Sequence, residues 1–432
     1  MAVQHEIVAL LHGRVGEQLT QAQRDDARQG RAQLAPEVER EFARSLINNV
    51  LQSYNEEQAA LGIPAMSPEE ERELAEAVHA RIYGAGALQP LLDDDRIENI
   101  DIQGDQTFVT YAGGIREQLP AVAASDDALI ALVQGLATTS GLSSRSWDRA
   151  NPQLDLTLPD GSRLSAVMEV SKRPALSIRR ARLGKVFLED LVKFGSLTEE
   201  AASMLRAAVL ARKNIMIGGA TDAGKTTMLR ALANVIPKEE RLITVERALE
   251  LGLDEFPELH PNILVLEERL PNSEGLGTVT MAELVQRSLR QNPDRVIVGE
   301  VLGPEVVTML NAMSQGNDGS LSTIHARSSE AVFRRLATYA RQAAEQFDTE
   351  TTAMLIEDAL DFVIFLGKVK NPVTGVKERR LVSVREVNGR DGHVLSSEVF
   401  KIDSFGELRP AAVITCLDEL AEFGYYPSGD FQ

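Results

Sequence analysis

The chain has 432 residues, 44% of them hydrophobic and 25% charged, with one cysteine and a formal net charge of −19. That length suits roughly two to four globular domains; the single cysteine excludes a disulfide framework and a multi-cysteine zinc site, and the acidic balance argues against a general nucleic-acid coat. No stretch approaches the ~18 apolar residues of a membrane span, and residues 1–30 lack a basic segment followed by a long apolar core, so no signal peptide is expected and the default compartment is the cytoplasm.

Residues 1–34 are polar after Leu11 and predict a flexible or loosely helical lead. From Pro36 to Ala60, the apolar residues Phe42, Leu46, Val50 and Leu51 recur at helical spacing. Ser67-Pro68-Glu69-Glu70 is a capping box with proline at the first helical position. It opens a helix carrying Leu74, Ala77, Val78 and Ile82, ended by Gly84. Ile97–Ile102 and Thr107–Tyr111 are β-rich. Leu154–Leu158 and Arg163–Val167 alternate around the turn Pro159-Asp160-Gly161-Ser162, and Ala175–Arg180 is a further short strand. These segments predict a smaller α/β N-terminal domain over 35–185, with a linker near Ala181–Lys185. From 186 to 432 the pattern is that of a second domain with a C-terminal β/α extension. A helix begins at Thr198, Asn214–Ile217 reads as a strand, and Lys225–Val235 as a helix stopped by Pro237. Leu242–Val245, Val296–Val298 and Leu321–Ile324 read as buried strands, with a helix opening at Pro304. Strand–helix alternation implies a mostly parallel sheet covered on both faces. Asp361 to Gln432 reads as β-rich, then helical. Cys416 closes the apolar run from Ala411 and reads as core packing.

Gly219-Ala220-Thr221-Asp222-Ala223-Gly224-Lys225-Thr226 fits G-x-x-x-x-G-K-[ST], with Thr227 next in line. A chain of this length matches that pattern by chance about once in a hundred; here the match also sits between a strand and a helix. The two glycines allow backbone conformations that a Cβ resists. The loop amides then turn inward around phosphate oxygens, and the helix adds its positive end. Lys225 supplies a mobile charge to the outer phosphates, and Thr226 offers a hydroxyl to Mg²⁺.

Glu246, Glu300 and His325 each follow an apolar strand, at the carboxyl edge where open α/β sheets bind ligands. Glu300 is placed to orient or activate an attacking water, directly or through Mg²⁺. Glu246 suits the metal's water shell or a share in that role, and His325 a γ-phosphate sensor or a relay to a neighbouring subunit. Each also has a plainer reading as a solvated or hydrogen-bonded rim residue. Phosphoryl transfer needs further positive charge, and Arg163, Arg179 and Arg180 are the candidates; any of them could equally be a surface ion pair worth under about 1 kcal/mol.

Together these motifs resemble the secretion and pilus-assembly ATPases of the type II/type IV secretion superfamily, in particular the tight-adherence (Flp pilus) branch. The resemblance covers roughly residues 85–400. It rests on Leu88-Gln89-Pro90-Leu91-Leu92 with Asn99–Gly104, on Leu158 to Arg163, and on Ser177-Ile178-Arg179-Arg180. It rests further on Asn292 to Val301 as the Walker B region and on Gly319 to Ala326 as a histidine box. It implies a RecA-like P-loop fold binding ATP and Mg²⁺, and a homo-oligomer, a hexamer. It also implies a place at the cytoplasmic face of the inner membrane, driving pilin assembly or secretion through an integral platform protein. Three positions depart from the family pattern: Arg247 follows Glu246 where aspartate is usual, Leu302 stands for arginine, and Asn317 for the first histidine. Lys225, Thr226, Glu246, Glu300 and His325 remain. A nucleotide-binding scaffold with little turnover is an alternative. A nucleic-acid motor is a weaker one, because the chain is acidic and only 5% aromatic.

Overall fold

The computed structural model describes residues 2–28, 36–64, 66–83, 85–111, 114–139, 147–158, 160–180, 184–269, 271, 276–370, 375, 377–403 and 406–427. The chain divides into two compact units, Met1–Arg182 and Leu183–Gln432. The expected linker at Ala181–Lys185 lies partly outside the described residues, as do residues 29–34 of the lead, Gly84 and Pro159.

The first unit begins with helices α1 (Ala2–Arg28), α2 (Pro36–Ala60) and α3 (Pro68–Tyr83). Leu11 and Val15, one turn apart on α1, are buried with Ile47, Val50 and Leu51 of α2 and Leu74 and Val78 of α3. Residues 2–28 of the lead are therefore a helix packed through Leu11 and Val15. Two buried residues and the bidentate Arg14–Glu57 pair fix a segment whose polar composition suggested looseness. On α2 the buried stripe runs through Ile47, while Phe42 is exposed. Ser67 and Glu70 form the expected capping box: the Ser67 amide donates to Glu70 Oε2 at 2.7 Å, and the Glu70 amide to Ser67 Oγ at 3.3 Å.

After α4 (Gln89–Asp93) come strands β1 (Ile97–Gln103), β2 (Gln106–Tyr111) and β3 (Arg116–Leu119), then helix α5 (Asp126–Thr139). Strands β4 (Gln153–Thr157), β5 (Arg163–Val167) and β6 (Ala175–Arg179) complete an antiparallel sheet ordered β3-β2-β1-β6-β5-β4. Alternate residues Ile100, Val109, Leu164, Leu176 and Ile178 share one core with Leu129 and Val133 of α5, as period-two side chains require.

The second unit runs α6 (Leu188–Lys193), α7 (Glu199–Leu210), β7 (Ile215–Gly219), α8 (Lys225–Ala233), β8 (Leu242–Glu246), β9 (Ile263–Glu267), α9 (Met281–Ser288), β10 (Arg295–Val301), α10 (Glu305–Ser314), β11 (Leu321–His325), α11 (Ser329–Gln342) and α12 (Thr349–Ala359). It closes with β12 (Phe362–Lys370), β13 (Lys377–Arg390), β14 (Val394–Ile402), β15 (Leu408–Pro410) and α13 (Leu417–Glu422). One nine-stranded sheet is ordered β15-β14-β13-β12-β7-β11-β10-β8-β9. The pairings from β12 through β9 are parallel, and those from β12 through β15 antiparallel. This is the α/β, RecA-like arrangement expected. Successive residues of β7 point to opposite faces, so Ile215 and Ile217 join the core with α7 and α8. Met216 joins the other, with α9 to α12. Cys416 precedes α13; burial and the neighbouring Glu386 carboxylate push its thiol up to about 12, which suits packing and not reactivity.

Candidate nucleotide site

Four parallel strands end side by side at one rim. Strand β7 delivers the glycine-rich loop, and β11, β10 and β8 follow it in the sheet with His325, Glu300 and Glu246 at or beside their last residues. The loop backbone is one that only small residues allow. A Cβ on Gly219 would sit 3.1 Å from both Ala223 Cβ and Leu366 O, and Gly224 opens α8 at φ +94°. Thr226 stands in the first turn of α8, beside amides that the first turn of any helix leaves unpaired.

A bulge in β10 aims Glu300 at this loop. Val298 pairs with Ser322 and Val301 with Ile324, so three steps on β10 match two on β11. The extra residue turns the local strand, and Thr323 Oγ1 bonds the Gly299 carbonyl at 2.7 Å across the gap. Lys225 Nζ then lies 3.7 Å from Glu300 Oε1 and 3.1 Å from His325 Nδ1, while His325 Nε2 stands 3.0 Å from the same Glu300 oxygen. An ammonium has only donors, so Nδ1 accepts and the ring proton sits on Nε2. Glu300 Oε1 is buried with no donor aligned on it, although the Lys225 ammonium and the His325 ring stand 3.7 and 3.0 Å away. The Thr226 hydroxyl and this carboxylate are oxygen groups of the kind that Mg²⁺ takes.

Glu246 is 3% exposed. Its Oε2 accepts the amides of Glu250 and Leu251 at 2.8 and 2.9 Å, so it holds the following turn as well as facing the rim. Its Cγ would lie 3.1 Å from a Cβ at Gly299, which explains the glycine there. Burial pushes its carboxyl up to about 7, against the opposing pull of the two amides. The folded chain therefore keeps a proton that the unfolded chain releases near 4.5, and stability falls as pH rises through that window. Integrated, this is on the order of 3 kcal/mol. Glu246→Gln keeps the two amide bonds and removes the titration. Urea melts are expected to show the variant gaining on the parent between pH 5 and pH 8; an unchanged difference would place the carboxyl's titration elsewhere.

Two of the three departures from the family pattern, Arg247 and Asn317, make side-chain bonds of their own. Arg247 donates to Glu268 at 2.9 Å. The Leu302 amide donates to Glu305, which caps the turn into α10. Asn317 bonds the Ala312 carbonyl at 3.2 Å at the other end of α10.

In the first unit, Arg163 and Arg179 are directly opposed on β5 and β6, and like charges so placed repel. Arg180 is spent differently. Its guanidinium donates to the Leu91 and Asp94 carbonyls at 3.2 and 3.0 Å.

Residues the sequence did not single out also reach the loop. Lys368 and Arg379, from β12 and β13, both bond Asp222. Their only sequence signal is two cations flanking a hairpin.

Comparison with known proteins adds the following. The model of the type II/IV secretion system protein family matches residues 116–402. A Mycobacterium tuberculosis H37Rv protein with a provisional conjugal-transfer name is 30% identical over 76% of this chain and 91% of its own. The VirB11 protein of Agrobacterium fabrum is 29% identical over 64% of this chain and 87% of its own. Among solved structures, the VirB11 ATPase of the Brucella suis type IV secretion system, in complex with sulphate, is 26% identical. It aligns with a TM-score of 0.37, covering 69% of this chain and 95% of that one.

Proposed function

The chain belongs to the type II/IV secretion system protein family, and on that premise we propose that it is an ATP-hydrolysing motor for pilus assembly or protein secretion. The branch is tight-adherence, and the working form is a hexamer. It sits peripherally at the cytoplasmic face of the inner membrane and acts on pilin or secretion machinery through an integral platform protein. The observation that carries the reading is the meeting of Lys225, Glu300 and His325 at the mouth of the glycine-rich loop.

The residues divide the work. The backbone from Gly219 to Thr227 wraps the phosphates, and Lys225 neutralises the outer ones. Mg²⁺, when bound, supplies further charge neutralisation; Thr226 holds it, with Glu246 and Glu300 around its water shell. Glu300 accepts a hydrogen bond from the attacking water and orients it. His325 couples Lys225 to Glu300 and senses whether the lysine is engaged by phosphate. Arg163, Arg179 or Arg180 supplies the remaining positive charge. The residues 35–185 act as a domain distinct from the motor core, so that turnover drives rigid-body motion.

Steady-state ATP hydrolysis across a protein-concentration series tests this. Turnover per chain is expected to rise with concentration, to be absent in Lys225→Ala, and to ignore added DNA. Nucleotide binding without turnover at any concentration would leave a switch and remove the motor; stimulation by DNA would favour a nucleic-acid motor.

A further inference from the structure

The phosphate-binding loop carries a carboxylate at its tip. Asp222 is its fourth residue and has φ +59°, a left-handed conformation that costs a non-glycine residue about 1 kcal/mol or more. A negative side chain there also opposes the approach of a polyphosphate. Two cations answer both problems. Lys368 Nζ donates to Asp222 Oδ2 at 2.9 Å. Arg379 donates through one terminal nitrogen to Oδ1 and through Nε to the Asp222 carbonyl at 3.1 Å. The two come from facing positions of the β12–β13 hairpin, where Lys368 pairs directly with Arg379. Like charges so opposed are unfavourable by themselves. Asp222 relieves that repulsion, and the pair turns the local charge of the loop tip from −1 to +1.

We propose that Lys368 and Arg379 are positioning residues of the nucleotide site, which hold the loop in its phosphate-accepting shape through Asp222. The β12–β13 hairpin thereby sets nucleotide affinity without itself contacting the phosphates. This rests on the nucleotide reading above and adds to it a role for an element that carries none of the sequence motifs.

The test is a double-mutant cycle on Mg-ADP affinity, read by fluorescence titration with a labelled ADP. Arg379→Ala and Lys368→Ala are each expected to weaken binding roughly three- to tenfold. Arg379→Lys is expected to recover part of the loss, because it restores the charge but not the forked donor. Asp222→Gly relaxes the backbone and removes the carboxylate. In that background Arg379→Ala is expected to cost less than twofold. Equal affinities for the parent and Arg379→Ala would overturn the inference. So would a loss of the same size with and without Asp222, since Arg379 would then touch nucleotide itself. The side chains of all three residues are partly exposed, so the variants leave the core intact. Lys225→Ala separates the two levels: a parent that shows no Lys225-dependent ADP binding would overturn the nucleotide reading and this inference with it.

Discussion

Replacing Glu300 by glutamine is expected to lower ATP turnover by about a thousandfold, while ADP binds as well as before or tighter. The geometry sets both halves. Glu300 Oε1 is buried beside Lys225 and His325 with no donor aligned on it, so it is placed to take a hydrogen bond from the group that attacks. Loss of a positioned base or water-orienting group typically costs about 10²–10⁴ in rate. Binding responds in the opposite sense. A carboxylate 3.7 Å from Lys225 competes with phosphate for that ammonium, and glutamine competes less. The check is a single-turnover rate beside an ADP titration. Equal losses in both would mean that Glu300 only supports the loop, and an unchanged rate would return the role of base to Glu246.

The largest expected effect on stability lies at the opposite end of the same strand. Arg295, the first residue of β10, is 0% exposed. It makes a forked pair with Glu240 at 2.8 and 2.7 Å and donates to the Val209 carbonyl at 2.7 Å. Arg212 also reaches Glu240, at 2.8 Å. Arg295→Met is expected to cost about 3–5 kcal/mol, because the buried forked pair is broken, Glu240 keeps only the part-exposed Arg212, and the Val209 carbonyl loses its donor. The double variant Arg295→Met/Glu240→Gln is expected to recover a substantial part. Urea denaturation of the three proteins checks this. If the double variant were no better than the single one, the loss would come from packing around the arginine stem. Gly319 would share that cause, since a Cβ there would lie 2.5 Å from an Arg295 nitrogen.

The parts of this fold that were legible in the sequence are those whose signal is local. The glycine-rich loop announces itself because phosphate binding needs particular residues at fixed spacing, and the apolar runs before Glu246, Glu300 and His325 announce buried parallel strands. Helices α5, α9, α11 and α12 and strands β3 and β9 were not singled out. Strand β9 lies at a sheet edge and is half-buried along most of its length, so its pattern is weak. The packing of α1 depends on α2 and α3, which no window within α1 contains. The bulge at Gly299 is equally invisible, since it exists only in the register of β10 against β11. The bracket on Asp222 joins residues 146 and 157 positions apart, and nothing in either stretch refers to the other.

The place of β7 in the sheet has a consequence for hydrogen exchange. Both its edges are paired, by β11 and β12, and all five of its residues are buried. Its amides open only when the whole unit does, whereas β15 and β9 at the sheet's two ends can fray alone. The glycine-rich loop is thus rooted in the segment expected to take up deuterium last, so the root of the loop stays fixed while the strands at the margins exchange.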